Sequence, residues 1–550
     1  MKPTIALYEG HDTNLTVYDP NTDSFYIYEF ERVSGIKHHN IKNRKGSNGL
    51  STSANVQYLQ IILNHLKEVH GIENDFDTFI FKPIWWNVSY IDRSIINFDE
   101  EVLSVIDHHD AHAWCAYGQA PESFENTACI TYDGWGDSTA FKYSCFKGIK
   151  RHSIEPMKHN FSMVYTAVAH SLKILHGTLD LDLPGKLMGL SAYGEVNRVW
   201  VDLMKDAFTS KWWETKHAGW WKERASRPEG AWNDPYNPLL LMRDKIGPFI
   251  QTTDYNIKLE NTKAFMLARS AQVAFEEGIV ETIKEEFLDK IEAHDNNLII
   301  SGGSALNVLA NEAIKRAFPD VNIYIPPNCH DGGLSFGMLY EHLKTTKKYD
   351  VTQSGPRIFD YKYMDPMIKL YGAKKVSIND IADLLKEQKI IGMVIGNMEV
   401  GPRALGNRSI LCDASNPKMK DTLNCRVKFR EWFRPFAPIC RKEDAPKYFY
   451  SPNFDNMECM QFVADVLPEY QTELFSVTHY DNTARLQVVT EESNAAIYDI
   501  LTAFDGVLIN TSLNVQGKPI LNTFDEAFHV LQKTGLDHIV VEYENDYWLF

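Results

Sequence analysis

The chain has 550 residues, more than one hydrophobic core normally serves, so two domains are the starting expectation. Its 44% hydrophobic content, a mean hydropathy of -0.32 and the lack of any apolar run of about 18 residues fit a soluble globular protein and exclude a membrane span. A net charge of -17 repels polyanions on average, so any anion site must be a local basic patch.

The opening text MKPTIALYEGHD enters an alternating apolar stretch with no basic and apolar leader, which predicts a cytoplasmic protein, or one in the host cytoplasm if the gene is a phage's. The 8 cysteines are scattered without a CxxC pair, against a zinc ribbon or a disulfide framework. Apolar runs at 3–8, 14–18 and 25–30, separated by the turn texts GHD and DPNTD, predict a β-meander with Asp12 on its first turn. An amphipathic helix near 54–69 and a strand near 102–106 follow.

In Asp107-His108-His109-Asp110-Ala111-His112, His108 and His112 stand at i and i+4, one helical face on which two imidazoles can hold one metal ion. A third ligand must come from elsewhere. Asp133-Gly134-Trp135-Gly136-Asp137 follows a strand at 127–132, where glycines bring backbone N–H groups near phosphates and acids approach a metal, although the same text makes ordinary hairpins.

A long helical pattern covers 262–290, and NNLIISGGSALN then reads as strand, glycine turn and helix, with Gly302, Gly303 and Asn307 in the turn. The run Pro326-Pro327-Asn328-Cys329-His330-Asp331-Gly332-Gly333 offers Asp331 as an oxygen ligand on a glycine-rich loop. This layering predicts an α/β domain with ligand loops at strand ends. Periodicity fades between about 343 and 360, which divides the chain into domains 1–350 and 351–550. Beyond it, a helix near 378–388, the strand IIGMVI and a β-rich remainder predict an α+β domain.

Two texts of this second half, GPRALGNRS (401–409) and KFREWFRPFAP (428–438), concentrate Arg403, Arg408, Lys428, Arg430 and Arg434 beside glycines and apolar residues. Arginine forks hold phosphate oxygens bidentately and a lysine adds a point charge, so anion binding is their natural use.

These two texts, with Arg485-Leu486-Gln487 and Asn510-Thr511-Ser512-Leu513-Asn514, resemble the C-terminal signatures of the NodU/CmcH/TobZ carbamoyltransferase family. The first half agrees in order through Gly10-His11-Asp12, Glu31-Arg32 with Lys37-His38, HHDAHA, DGWGD, Gly185-Lys186-Leu187-Met188-Gly189-Leu190, GGSALN and PPNCHDGG. The resemblance implies an actin-like (ASKHA) N-terminal domain similar to the tRNA threonylcarbamoyl-transfer enzymes, and a YrdC-like C-terminal domain. It implies that the YrdC-like domain forms carbamoyl-adenylate from carbamoyl phosphate and ATP, and that the actin-like domain transfers the carbamoyl group to an acceptor hydroxyl.

Carried over by residue, the resemblance implies His108, His112 and Asp331 as ligands of a divalent metal, iron with magnesium as the alternative. Asp133 would be a fourth ligand or a nucleotide-side acid. Asp12 matches the acid near the acceptor and is the expected general base, with His11 beside it. Gly134, Gly136, Asp137, Gly302, Gly303 and Asn307 would face a nucleotide. Arg403, Arg408, Lys428, Arg430, Arg434, Arg485 and Asn514 would hold carbamoyl phosphate and ATP. Two departures stand out: HDTN replaces the usual HDAS-like text after Gly10, and Leu513 sits where an aromatic is common. The first borders the expected acceptor site and puts the acceptor's identity in question.

An actin-like small-molecule kinase would need the glycine turns but not the second half, and a non-catalytic nucleotide-binding module would not need Asp12 or the metal ligands. The acceptor expected first is a 5-hydroxymethylcytosine hydroxyl, as nucleotide or in DNA, ahead of a sugar or antibiotic hydroxyl. Richness in Ile, Asn, Lys and Tyr suggests an AT-rich, phage-like source, and aromatics interleave with cations at 211–232, Trp212 and Trp220 among them. Lys37 and His38 are the other acceptor-side candidates. No membrane partner is expected, and a homodimer is among the oligomeric options.

Overall fold

In the computed structural model, which describes residues 1–39, 52–83, 93–104, 106–134, 136–137, 139–154, 159–175, 178–209 and 262–550, the opening alternation becomes three strands. They are β1 (Thr4–Glu9), β2 (Asn14–Asp19) and β3 (Ser24–Glu29), paired antiparallel with Ile5 opposite Val17 and Leu7 opposite Leu15. The short helix α1 (Phe30–Ser34) follows. In α2 (Thr52–His70), Leu59, Ile62, Leu63 and Leu66 bury one helical face against Phe76 and Phe79 of β4 (Phe76–Pro83). With β5 (Phe98–Leu103) parallel to β4 and β4 parallel to β1, the sheet order is β3-β2-β1-β4-β5. Helix α3 (His108–Gln119) is buried along its whole length, with Asp107 capping its start by accepting the His109 N–H at 2.9 Å.

A second sheet repeats the plan. Strands β6 (Asn126–Tyr132), β7 (Phe141–Lys147) and β8 (Lys150–Ser153) form a meander. After α4 (Phe161–Ser171) and the long α5 (Thr262–Glu286), β9 (Asn297–Ser301) joins β6 in parallel, and β10 (Asn322–Tyr324), after α6 (Val308–Ala317), joins β9. The order β10-β9-β6-β7-β8 is that of the first sheet, strand for strand. This duplicated meander with a parallel two-strand extension is the actin-like plan expected from the sequence. It also makes the protein α/β.

The chain then enters α7 (Leu334–Leu343), which packs on α3, β1 and β2. The last part is α+β. Eight strands, β11 (Lys374–Val376), β12 (Ile391–Val394), β13 (Arg408–Asp413), β14 (Ala437–Arg441), β15 (Gln487–Val489), β16 (Leu508–Ser512), β17 (His538–Tyr543) and β18 (Asp546–Leu549), make one mixed sheet. Its order is β11-β18-β17-β12-β13-β16-β14-β15. Helix α8 (Ile378–Lys386), started by a Ser377/Asp380 capping box, and α9 (Ala495–Phe504) cover it through Ile381, Leu385, Ile497, Ile500 and Leu501.

Packing divides the chain into two units: Met1–Glu122 with Ile325–Thr478 and Ala484–Phe550, and Ser123–Tyr324 with His479–Thr483. This partition differs in kind from the functional division expected near residue 350. The stretch read as a linker is irregular but stitched inside the first unit. Ser354 O accepts the Ile27 N–H at 2.8 Å, Thr352 O the Val400 N–H at 2.9 Å and Pro356 O the Met398 N–H at 3.0 Å, so backbone groups that lack a ladder find partners on both sides. Among the described residues no helix is long and apolar enough to cross a membrane.

The approach of α7 to α3 is set by Gly337, where a Cβ would stand 2.0 Å from the Ala111 carbonyl oxygen. Gly337→Ala should cost about 1–3 kcal/mol or more, because backbone rather than a pliable side chain must move. Urea unfolding should report a lower midpoint, and a wild-type midpoint would mean that the helices separate freely.

Candidate active site

Inside the first unit, α3 delivers His108 and His112 to one point, and the turn before α7 brings Asp331 to them. The two Nε2 atoms lie 3.2 Å apart, and Asp331 Oδ1 is 3.4 Å from His108 Nε2 and 3.3 Å from His112 Nε2. Four ligands at bond lengths of about 2.0–2.2 Å in a tetrahedron are themselves about 3.3–3.6 Å apart, so the triangle fits a divalent ion. All three residues are buried, as a nitrogen and oxygen ligand set for a dehydrated ion requires. Tyr8 on β1 donates its hydroxyl to Asp331 Oδ2 at 2.9 Å and so orients the carboxylate. Asn14 on β2 fixes the backbone of the same turn: its Nδ2 donates to Asp331 O at 2.8 Å, and its Oδ1 accepts the Ser335 N–H at 2.9 Å.

Asp12 sits on the β1–β2 turn in the left-handed region, at φ 54°, with its carboxylate between two imidazoles. His38 Nδ1 lies 2.8 Å from Oδ1, and His11 Nδ1 lies 3.0 Å from Oδ2. His11 reaches further, its Nε2 standing 3.4 Å from Asp331 Oδ2. Glu31 accepts the His38 N–H at 2.9 Å and holds the residue in its own left-handed conformation, at φ 53°. Burial drives the Asp12 carboxyl upward, yet the charges and hydrogen bonds of His38 and His11 outweigh it and keep the group well below the usual carboxylate range. A carboxylate held so firmly is a weak base by itself and a strong anchor for an imidazole.

The glycine turns expected to face a nucleotide lie in the second unit, at the carboxyl ends of the neighbouring parallel strands β6 and β9. They meet there, as Asp133 Oδ1 accepts the Gly303 N–H at 3.0 Å. Asn307 serves as the cap of α6, accepting the Ala310 N–H at 3.2 Å, and also accepts from Gln272 at 2.9 Å. Gly134, Gly136, Asp137 and Gly302 belong to the same two turns.

The cations of the second half gather in the first unit. Burial, with the charges of Arg403, Arg430 and Arg434, pushes the Arg485 guanidinium far down. Burial with the charges of Arg430, Arg434 and Lys37 lowers Lys428, and burial with the charge of Arg434 lowers Arg430. Burial brings Arg403 down to about 10. The Nε atoms of Arg403 and Arg485 are buried with no hydrogen-bond partner among the described residues. The only ion pair within 4.0 Å that these five cations make among the described residues joins Arg434 to Glu431, at 3.9 Å. Lys428 is buried and the four guanidinium groups are half-buried, and such a charge excess partly withdrawn from water suits an anion.

Arg408 is different. Its guanidinium, 1% exposed, donates to Ile395 O at 2.6 Å, Asn407 O at 2.9 Å and Gly396 O at 3.3 Å, which ties down the ends of β12 and β13. Lys428 Nζ donates to Ser512 O at 2.6 Å and Asn514 O at 3.0 Å, and also meets the Asn514 side chain. Arg430 is shared between Asn424 Oδ1 at 2.8 Å and Pro435 O at 3.1 Å.

Several supporting residues escaped the sequence reading. Glu399 Oε1 accepts the N–H groups of Leu405 at 2.6 Å and Arg408 at 3.3 Å. Asn510 donates to Ala404 O at 3.0 Å, and Gln487 donates to Leu405 O at 2.9 Å. Together they stretch the loop that presents Arg403. Gln487 and Asn510 were legible inside the quoted motifs. Glu399 carried no signal beyond an acid in an apolar run. Trp212 and Trp220 lie outside the described residues.

Comparison with known proteins gives two family matches. The family model described as Carbamoyltransferase N-terminus matches residues 57–338, and the one described as Carbamoyltransferase C-terminus matches residues 382–545. An uncharacterized protein of Synechocystis sp. is 30% identical over 487 residues, covering 79% of this chain and 75% of that one. Nodulation protein NolNO of Sinorhizobium fredii is 29% identical over 468 residues, covering 80% of this chain and 64% of that one. Full-length HypF, crystallised in its phosphate- and nucleotide-bound form, is 13% identical with a TM-score of 0.34, over 62% of this chain and 55% of that one.

Two outcomes test the geometry. His112→Ala should lower affinity for a divalent metal by more than the roughly 10–100-fold that a lost second-sphere partner costs, whereas Tyr8→Phe should fall within that range. Competition against a chelator, with bound metal counted by mass spectrometry, separates the two. For Asp12, whose folded pKa lies below the unfolded value of about 3.9, the stabilisation is complete above that value and is lost as pH falls through the folded one. Asp12→Asn should therefore flatten the pH dependence of the urea midpoint below about pH 4. An unchanged slope there would show that the carboxylate is not held by its two imidazoles.

Proposed function

This chain belongs to the carbamoyltransferase family, and from that premise we propose that it is an ATP-dependent O-carbamoyltransferase working through carbamoyl-adenylate. The observation that carries the reading is the cluster of buried Lys428 with the half-buried Arg403, Arg430, Arg434 and Arg485, whose charge suits the phosphates of carbamoyl phosphate and ATP. The residues from about 351 onward then serve adenylate formation, and those before them serve transfer. ATP loses pyrophosphate, carbamoyl phosphate loses its phosphate, and water balances the exchange. Arg403 and Arg485 bind phosphate oxygens by their forks, while Lys428 holds the Ser512–Asn514 backbone against the ligand. Arg408 serves as a brace rather than a ligand.

In the transfer step the acceptor oxygen attacks the carbamoyl carbon, the bond to the adenylate oxygen breaks and AMP leaves. The hydroxyl proton goes to the group formed by Asp12, His38 and His11, in which the carboxylate fixes the orientation of both imidazoles. A divalent ion, iron first and magnesium second, held by His108, His112 and Asp331, would supply Lewis-acid polarisation of the carbonyl. In the second unit, the paired turns around Asp133 and Gly303 suit a nucleotide phosphate.

The acceptor we propose is the hydroxymethyl group of 5-hydroxymethylcytosine, supported by the composition and by the cation and aromatic text at 211–232. Offering the nucleotide, hydroxymethylcytosine DNA and amino-sugar acceptors side by side, with a mass gain of one carbamoyl group as readout, tests it. Turnover only on a sugar hydroxyl would replace this acceptor and leave the chemistry standing. Arg403→Ala should reduce carbamoyl phosphate-dependent pyrophosphate release by about ten- to a hundredfold, from a lost charge-assisted bond of roughly 1.5–3 kcal/mol. Wild-type release in that variant would remove Arg403 from the anion site.

A further inference from the structure

We propose that Glu29 and Arg32 are positioning residues that lock the loop of Arg403 to the loop of Asp331, so that an anion bound at the first is felt at the metal site. The inference rests on the reading of Arg403 as a carbamoyl phosphate ligand.

The lock is a closed ring of three bonds. Arg32 Nε donates to Glu29 Oε2 at 2.8 Å, Arg32 Nη2 donates to Gly401 O at 2.6 Å, and the Gly401 N–H returns to Glu29 Oε1 at 3.1 Å. One residue, Gly401, is therefore gripped by both its N–H and its carbonyl, two residues before Arg403. Arg32 is 4% and Glu29 7% exposed, so water competes little for these bonds. Gly401 has φ 89°, and a Cβ there would stand 2.2 Å from Pro327 O, so the anion loop lies backbone to backbone on the stretch that leads to Asp331.

From Glu29 the contacts run on to the metal side. Glu29 pairs across the sheet with Asn14, the residue that holds the Asp331 carbonyl and the Ser335 N–H. Glu29 Oε1 also lies 3.0 Å from the point where a Cβ on Gly332 would stand. The path from Arg403 to Asp331 thus runs through Gly401, Arg32, Glu29 and Asn14, and every step except the Glu29–Asn14 strand pairing is a hydrogen bond or the chain itself. In this proposal the ring acts through the loops it joins rather than on a substrate. Its effect is to fix where the guanidinium of Arg403 starts and to carry a shift of its loop to the metal ligands.

The ring is closed by two different guanidinium nitrogens, Nε to the carboxylate and Nη2 to the Gly401 carbonyl, whereas a lysine keeps the charge but has one nitrogen to place between the two acceptors. The test uses full-length protein loaded with Co2+ and titrated with carbamoyl phosphate, reading anion affinity by calorimetry and the metal site by its ligand-field absorption. Wild-type protein should change its cobalt spectrum on anion binding. Arg32→Lys should bind Co2+ as before, bind carbamoyl phosphate about tenfold more weakly and lose the spectral response, with guanidinium added to Arg32→Ala restoring part of it. Glu29→Gln, which keeps the shape and removes the charge, should give the same loss. A wild-type spectrum that ignores the anion, or an Arg32→Lys protein that responds as wild type does, overturns the proposal. If Arg403→Ala also binds carbamoyl phosphate normally, the anion-site reading itself has failed, a result distinct from failure of the lock.

Discussion

Positive charge drawn partly out of water, with Glu431 its only ion-pair partner among the described residues, is the constraint on which the rest of the first unit depends. Guanidinium and ammonium groups repel one another in a low dielectric, and burial alone penalises each of them. Arg403, Arg430, Arg434, Arg485 and Lys428 nevertheless share one region, and each of the buried ones is pushed toward its neutral form by burial and by its neighbours. A fold keeps such a cluster only if the backbone carrying it cannot relax. Glu399, Gln487 and Asn510 immobilise the loop from Ala404 to Arg408 through its N–H and carbonyl groups, and Lys428 draws in the Ser512–Asn514 segment. Glu399 is spent on backbone and Glu29 on Arg32 and Gly401, which leaves Glu431 as the one ion-pair partner of five cations among the described residues, so a charge excess stays available to an incoming anion.

The sequence resolved the elements whose signal is local. Two histidines one helical turn apart reached the same point because a helix makes i and i+4 neighbours whatever surrounds it. The meander followed from alternation and turn chemistry, and the repetition of its order in β6–β10 was beyond reach because strand order is set by long-range pairing. Arginines in glycine-rich text were read together as phosphate ligands, yet Arg408 turns inward onto three carbonyls. Both uses need the same residue, and only the fold decides between them. The interrupted stretch near 343–360 was legible as a break in periodicity, but not as a strap bonded on both sides, since its partners, Ile27 on one side and Met398 and Val400 on the other, are all non-local in sequence.

The same reasoning explains why the first unit is assembled from both ends of the chain. Residues of the metal turn and the anion loop come from segments about 70 positions apart, yet Gly401 packs on Pro327 and Gln461 donates to Pro326 O at 3.0 Å. Two loops that exchange contacts at backbone distance cannot belong to independently moving bodies. The packing units therefore cut the molecule differently from the division near residue 350 that the sequence suggests, because contact density groups residues by what must stay in register.

Asn14 brings these strands of argument to one atom group. It is part of the HDTN text that departs from the expected HDAS-like pattern, and the departure pointed toward the acceptor. In the folded chain it is fully buried and faces the metal turn from behind, donating to Asp12 O at 2.7 Å and Asp331 O at 2.8 Å while accepting the Ser335 N–H at 2.9 Å. A primary amide has two donors and an acceptor in one plane, and all three are used here. A serine hydroxyl has one donor and would leave a buried carbonyl or N–H without a partner, at a cost of about 1–3 kcal/mol. The amide thus joins the turn of Asp12 to the turn of Asp331, the expected proton acceptor to a metal ligand, and it does so on the strand position opposite Glu29. The departure from the expected pattern is a change in how the turns of Asp12 and Asp331 are joined.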